Sequence, residues 1–258
     1  MDTTIVFAAD APAATISDRV RRGELVRLAT GVYTSDVTSD PAAVVAREWH
    51  TIAGGIFPDA VITDRSAVTG GPVDGVLYLA RDGRAREAEL PGLSVTARRG
   101  AGPLDGDIPL PGGLYQAGQG RALAENTRPS RSRDGRARRT LDAADLGDWV
   151  DRLRQVDGPQ RLAQYREQAE RVAARVGGSE RAVKALSQMT GAALGTQRVS
   201  TSSRALAARQ ASLPYDQDRM HLFRQLADSL RQSAPQNRPV PDPRDPRYAH
   251  LPFFEAYF

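Results

Sequence analysis

The side chains of this sequence best equipped for chemistry are arginines, and they gather in two places. Arg19, Arg21, Arg22 and Arg27 lie within Thr15 to Thr34, T-I-S-D-R-V-R-R-G-E-L-V-R-L-A-T-G-V-Y-T, offset in part by Asp18 and Glu24. The second group is R-P-S-R-S-R-D-G-R-A-R-R, where Arg128, Arg131, Arg133, Arg136, Arg138 and Arg139 face Asp134 alone. A guanidinium fork suits phosphate oxygens and the major-groove edge of guanine, so the chemistry on offer is nucleic-acid contact. The second group carries +5, and the whole chain only +4, so everything else sums to about −1 and the basic character is local. Each group also has a plainer reading: a helix-hairpin corner with solvated arginines for the first, a solvated interdomain loop for the second. Arginine as such says little, because Lys184 is the sole lysine among 35 basic residues.

Catalytic schemes find no support in the residues. There is no cysteine, which removes disulfides, thiolate chemistry and cysteine-ligated zinc together, and His50, His221 and His250 are too far apart to form a helical metal pair. No G-x-S-x-G, H-E-x-x-H, G-x-G-x-x-G or G-x-x-x-x-G-K-[ST] occurs in the required setting, so the glycines between 100 and 120 read as turns. Asp105 and Asp107 sit between Gly and Pro, where paired carboxylates are expected to be solvated, and Gly178-Ser179 lacks the D-x-D partner of a nucleotidyl-transfer site.

The arginines need elements to hold them. A hydroxyl of Thr15 or Ser17 is expected to cap a short helix that Gly23 ends; Leu25, Val26 and Leu28 then form a strand, Ala29-Thr30-Gly31 a turn, and Val32-Tyr33 the return. Thr3 to Phe7 reads as a strand, and a complete helix-turn-helix needs about one more helix than the fourteen residues before Thr15 supply. Further on, Ser39 or Asp40 with Pro41 opens a helix to about Ile52, Ala60 to Thr63 is a buried strand, and 64–68 a helical turn. Strands at 76–80, 86–90 and 93–97 are expected to make a small antiparallel sheet, followed by a short helix from Gly120 to Asn126. From Leu141 the period turns helical: Leu146, Trp149, Val150, Leu153, Val156; then Leu162, Tyr165, Ala169, Val172, Val176; then Val183, Leu186, Met189, Ala193. Ser202 or Ser203 caps a brief helix, and Met220, Phe223, Leu226, Ala227 and Leu230 form a stripe expected to be core. Five prolines between Ser233 and Arg247 mark a stiff linker, followed by the aromatic H-L-P-F-F-E-A-Y-F.

Two resemblances attach to these strings. S-D-R-V-R-R-G-E-L-V-R-L-A-T-G-V-Y-T resembles the winged-helix segment of AbiEi-type antitoxins, and I-T-D-R-S-A-V is similar to an S-x-R-S-A element in the second part of such proteins. H-L-P-F-F-E-A-Y-F resembles the opening of the Fic domain in bacterial proteins whose N-terminal half is AbiEi-like. The resemblance implies an N-terminal winged helix at 1–36, a mixed α/β part at 37–127, a basic loop at 128–139, a helical bundle at 140–232, a linker at 233–249 and the start of a Fic-type domain at 250–258. The expected class is α+β, and the expected role a non-catalytic regulatory region touching DNA through Arg19, Arg21, Arg22, Arg27, Arg131, Arg133, Arg136, Arg138 and Arg139. An adenylyltransferase using ATP and Mg is implied only for a chain continuing past Phe258, because the H-P-F-x-x-G-N-G-R loop is absent here; a stand-alone antitoxin that neutralises a toxin is the third reading. No cofactor is expected in this chain, and no basic-then-apolar leader or long apolar run argues for membrane or secretion, so the expected compartment is the cytoplasm.

Overall fold

The computed structural model describes residues 4–132, 138–213 and 215–233. The chain divides into two compact units, Met1–Tyr215 and Asp216–Phe258. The first mixes helices with two sheets.

Its opening elements are β1 (Ile5–Phe7), a single 3-10 turn at Ala8–Asp10, α1 (Ala13–Arg21), β2 (Val26–Ala29) and β3 (Val32–Thr34). The strands form an antiparallel sheet in the order β1-β3-β2, with Phe7 opposite Val32 and Arg27 opposite Tyr33. Gly23 and Gly31 have φ of +73° and +76°, left-handed conformations that end the helix and turn the hairpin. The expected cap is displaced: α1 starts after Pro12, whose fixed φ suits a helix entrance, so Thr15 and Ser17 lie within the helix.

Helix α2 (Pro41–Ile56) is opened by the Asp40 carboxylate, which accepts from the Ala43 N–H. It runs a turn beyond the expected stop near Ile52, because Ile52, Ala53 and Gly54 are all buried and tertiary packing outweighs the low helix propensity of Gly54-Gly55.

The larger sheet comprises β4 (Val61–Ile62), β5 (Val76–Arg81), β6 (Arg86–Leu90), β7 (Leu93–Arg99), β8 (Ile108–Pro109) and β9 (Tyr115–Gln116), with α3 (Asp64–Thr69) between β4 and β5. Its order is β6-β7-β5-β4-β9-β8, and it is mixed rather than antiparallel: β5 runs parallel to β7, and β4 parallel to β9. The two-residue Pro91-Gly92 turn ties β6 to β7 as a hairpin, and burial explains the order. The apolar β5 and β7 take interior positions, whereas Arg86, Glu87 and Glu89 leave β6 at the edge.

Alternation assigns the faces of this sheet. Leu77 and Leu79 of β5, with Leu93, Val95 and Ala97 of β7, join Val44, Val45, Ile52 and Phe57 in one hydrophobic cluster, which also takes in Ile5, Leu28 and Val32 of the small sheet. A second cluster gathers Val61, α4 (Gln119–Asn126), α5 (Ala143–Asp157), α6 (Pro159–Val172), α7 (Glu180–Ala193) and α8 (Arg204–Gln210) around Leu123, Val150, Leu162, Leu186 and Leu206. Asp142, Ser179 and Ser203 cap α5, α7 and α8 through their side chains. Val156 departs from its expected place in the core and is 74% exposed, off the face that Trp149 and Leu153 bury.

In the second unit, α9 (Gln217–Gln232) starts at Asp216, whose carboxylate accepts from the Arg219 N–H. Its expected core stripe is in fact solvent-facing: Met220, Phe223, Leu226 and Leu230 are 39% to 63% exposed, because no other described element of that unit stands against them. The linker from residue 234 and the aromatic 250–258 segment lie outside the described residues. Among the described residues no helix is long and apolar enough to cross a membrane.

Candidate nucleic-acid interface

Helix α1 buries a single side chain, Ile16, and turns most of its remaining surface to solvent. Leu25, between Arg22 and Arg27, is buried, and Leu28 and Val32, beyond Arg27, anchor the hairpin in the first cluster. Arg21 and Arg22 are open to solvent, with side chains 76% and 63% exposed. Arg21 pairs with Asp18, Arg22 with Glu24 at 3.0 Å, and Arg19 with Glu24 at 3.6 Å. Exposed pairs of this kind contribute little, so a phosphate can replace either carboxylate without large cost. Arg27 is folded back on its own hairpin, Nε donating to the Ala29 carbonyl at 3.2 Å and Nη2 to Thr30 Oγ1 at 3.1 Å. The four guanidiniums thus belong to one helix end and the hairpin that follows it, three of them loosely tethered.

The second arginine group divides. Arg131 and Arg138 are exposed, while Arg133 and Arg136 lie outside the described residues. The base of the segment is pinned: Thr140 Oγ1 donates to the Arg128 carbonyl at 2.7 Å, and the Thr140 N–H donates to Ser130 Oγ at 3.0 Å. Arg139 points inward, its Nη1 2.7 Å from the fully buried Asp64 carboxylate.

That pairing belongs to a charged network on the sheet face opposite the first cluster, which sequence reading missed. Arg98 of β7 reaches Asp64 with Nε at 3.0 Å, and Glu125 and Thr63 with Nη2 at 2.9 Å and 3.1 Å. Thr63 Oγ1 also donates to Glu125. Arg121 pairs with Glu125 at 3.4 Å and with Asp107 at 2.6 Å, its other donors meeting the carbonyls of Ala101 and Gly102. Asp107, expected to be solvated, is therefore an ion-pair partner whose side chain is 1% exposed. Burial works against the charge of Arg98, and the Asp64 and Glu125 carboxylates outweigh it, leaving the guanidinium above its ordinary range. Asp64 opens α3 at φ +55°, a left-handed conformation that aspartate tolerates better than most residues. The available signals were the Arg121–Glu125 spacing of four on a helix and the position of Arg98 out of phase with Leu93, Val95 and Ala97. The network pairs its charged side chains with one another through Asp64 Oδ2, with Asp64 Oδ1 left without a hydrogen bond, and ties together the α3–α4 corner from which the basic segment departs.

Compared with known proteins, the chain matches no family model, no curated protein and no solved structure.

Proposed function

We propose that this chain is a non-catalytic, DNA-binding regulatory region in which α1 serves as recognition helix and the β2–β3 hairpin as wing. The observation that carries the reading is the open α1 surface, with Arg21 and Arg22 exposed at its end and Arg27 on the hairpin that follows. A strand before the helix pairing with the far strand of the hairpin, in the order β1-β3-β2, fits a winged helix reduced to one full helix. Arg131 and Arg138 would add phosphate interactions of the positioning kind, which carry no sequence information. On this reading α5 to α8 form a helical bundle behind the mixed α/β part. The likeness to AbiEi-type antitoxins and to the N-terminal half of Fic-family proteins supports the same role in a bacterial cytoplasm, with DNA as first partner and a toxin or target protein as second.

The test is fluorescence anisotropy on double-stranded promoter DNA across a salt series. Every arginine–phosphate pairing removed should lower the slope of log affinity against log salt by about one, so Arg21→Ala with Arg22→Ala should lower it by about two and weaken binding at low salt. Equal binding by wild type and double variant at every salt would sink the proposal.

A further inference from the structure

A cleft of about 260 Å³ opens between the end of α4, the start of α5 and the flank of α7. Leu141, Leu146, Leu186 and Met189 contribute its apolar lining, and Arg128 and Arg138 its cationic one. Leu146 and Leu186 are core residues, so this floor is built by the fold. The volume lies just below the roughly 300–1,000 Å³ of ordinary small-molecule sites, enough for a body of one or two rings.

The one carboxylate in the described lining, Asp142, is engaged by the start of α5, where it accepts from the Ala144 and Asp145 N–H groups, and it forms no ion pair with Arg128. In the adjoining buried network Asp64, Glu125 and Asp107 are matched by Arg98, Arg121 and Arg139. Arg128 is a fourth cation, half-buried, with no carboxylate within ion-pair distance among the described residues. Its Nη1 donates to the Val176 carbonyl at 2.7 Å, past the end of α6, and Gly177 leaves room for the guanidinium: a Cβ there would stand 3.3 Å from Cζ. Burial first, then the neighbouring Arg98 and Arg139, hold the Arg128 guanidinium below its ordinary range, outweighing the more distant Asp64 and Glu125 carboxylates. A partly desolvated cation beside an apolar floor is the arrangement that selects an amphipathic anion.

We propose that the α4–α5–α7 cleft binds a small amphipathic acid, its apolar body against Leu146, Leu186 and Met189 and its single anionic group on Arg128. The inference goes beyond DNA binding and does not depend on it.

Isothermal calorimetry with 2-naphthoate, and with the uncharged 2-naphthalenemethanol as control, tests the proposal on the full chain. Wild type should bind one naphthoate saturably and the alcohol at least tenfold more weakly. Arg128→Met should weaken naphthoate at least tenfold and leave the alcohol unchanged, as expected for losing a charge-assisted hydrogen bond. Arg128 also holds the Val176 carbonyl, so a second variant guards against misfolding: Ala185→Trp, at an exposed position on the cleft wall, should abolish both bindings while the circular dichroism spectrum is kept. No saturable naphthoate binding by wild type, equal affinity for acid and alcohol, undiminished naphthoate binding by a folded Arg128→Met, or naphthoate binding retained by Ala185→Trp would each overturn the proposal.

Discussion

Arg98 shows how much can rest on one side chain. Its guanidinium lies between two fully buried carboxylates, Asp64 and Glu125, and is itself 14% exposed. Replacing an entire buried ion-pair network with apolar groups is often neutral, but removing Arg98 alone leaves three buried carboxylates, Asp64, Glu125 and Asp107, to two arginines, Arg139 and Arg121, and a broken buried pair costs about 3–5 kcal/mol. Arg98→Met should therefore lower the urea midpoint by an amount equivalent to about 3–5 kcal/mol, and Arg98→Lys should restore only part of it, because an ammonium cannot span both carboxylates as a planar fork does. A decrease below about 1 kcal/mol for Arg98→Met would show these charges to be solvated in the folded state. The same scale separates the arginines of the basic segment, which look equivalent in the sequence: Arg139 is tied to Asp64, Arg128 stands over the cleft, and Arg131 and Arg138 face solvent. Their surroundings come from α3, α6 and α7, distant in the chain, so spacing alone could not sort them.

At the scale of elements, local chemistry was legible wherever a helix or turn is decided by its own residues. Asp40 with Pro41, Gly23, Gly31 and Ser203 each do what their types dictate. It failed wherever a neighbour decides. The parallel pairing of β5 with β7 follows from which strands are apolar enough for the interior, a comparison among strands that no single strand carries. Helix α2 passes through Gly54-Gly55 because close approach is what those residues provide. A Cβ on Gly54 would meet the Gly112 carbonyl oxygen at 1.8 Å, and one on Gly55 the Phe7 ring at 2.0 Å. Phe7 can rotate; a backbone carbonyl cannot. Gly54→Ala should accordingly destabilise the protein by about 1–3 kcal/mol or more in chemical denaturation, despite alanine's better helix propensity, and more than Gly55→Ala does. Stabilisation by Gly54→Ala would mean that α2 and the Gly112 turn do not touch.

At the scale of the molecule, the change of period at Leu141 suggests a break between a sheet part and a helical part, but the hydrophobic clusters are joined inside one strand. Val61 and Ile62 of β4 are consecutive, both 0% exposed, and belong to different clusters, as alternation across a sheet requires. Among the described residues, neither cluster includes one beyond Leu206. A fragment of residues 1–215 should therefore fold by itself, and its two clusters should melt together, although chains of this length commonly unfold through intermediates. The two tryptophans provide separate probes: Trp49 packs on the first cluster, and Trp149 lies within the second. In the fragment, Trp149→Phe leaves fluorescence reporting the first cluster, and Trp49→Phe leaves it reporting the second. Each melt should coincide with the far-ultraviolet circular dichroism transition of the same variant, as a cooperative two-state transition demands. The comparison within each variant removes the stability effect of the substitution. If fluorescence of Trp49 or Trp149 changed several degrees away from the decay of the backbone signal, the two faces of β4 would be uncoupled, and the helical half could unfold while the sheet and its arginine-bearing hairpin stayed intact.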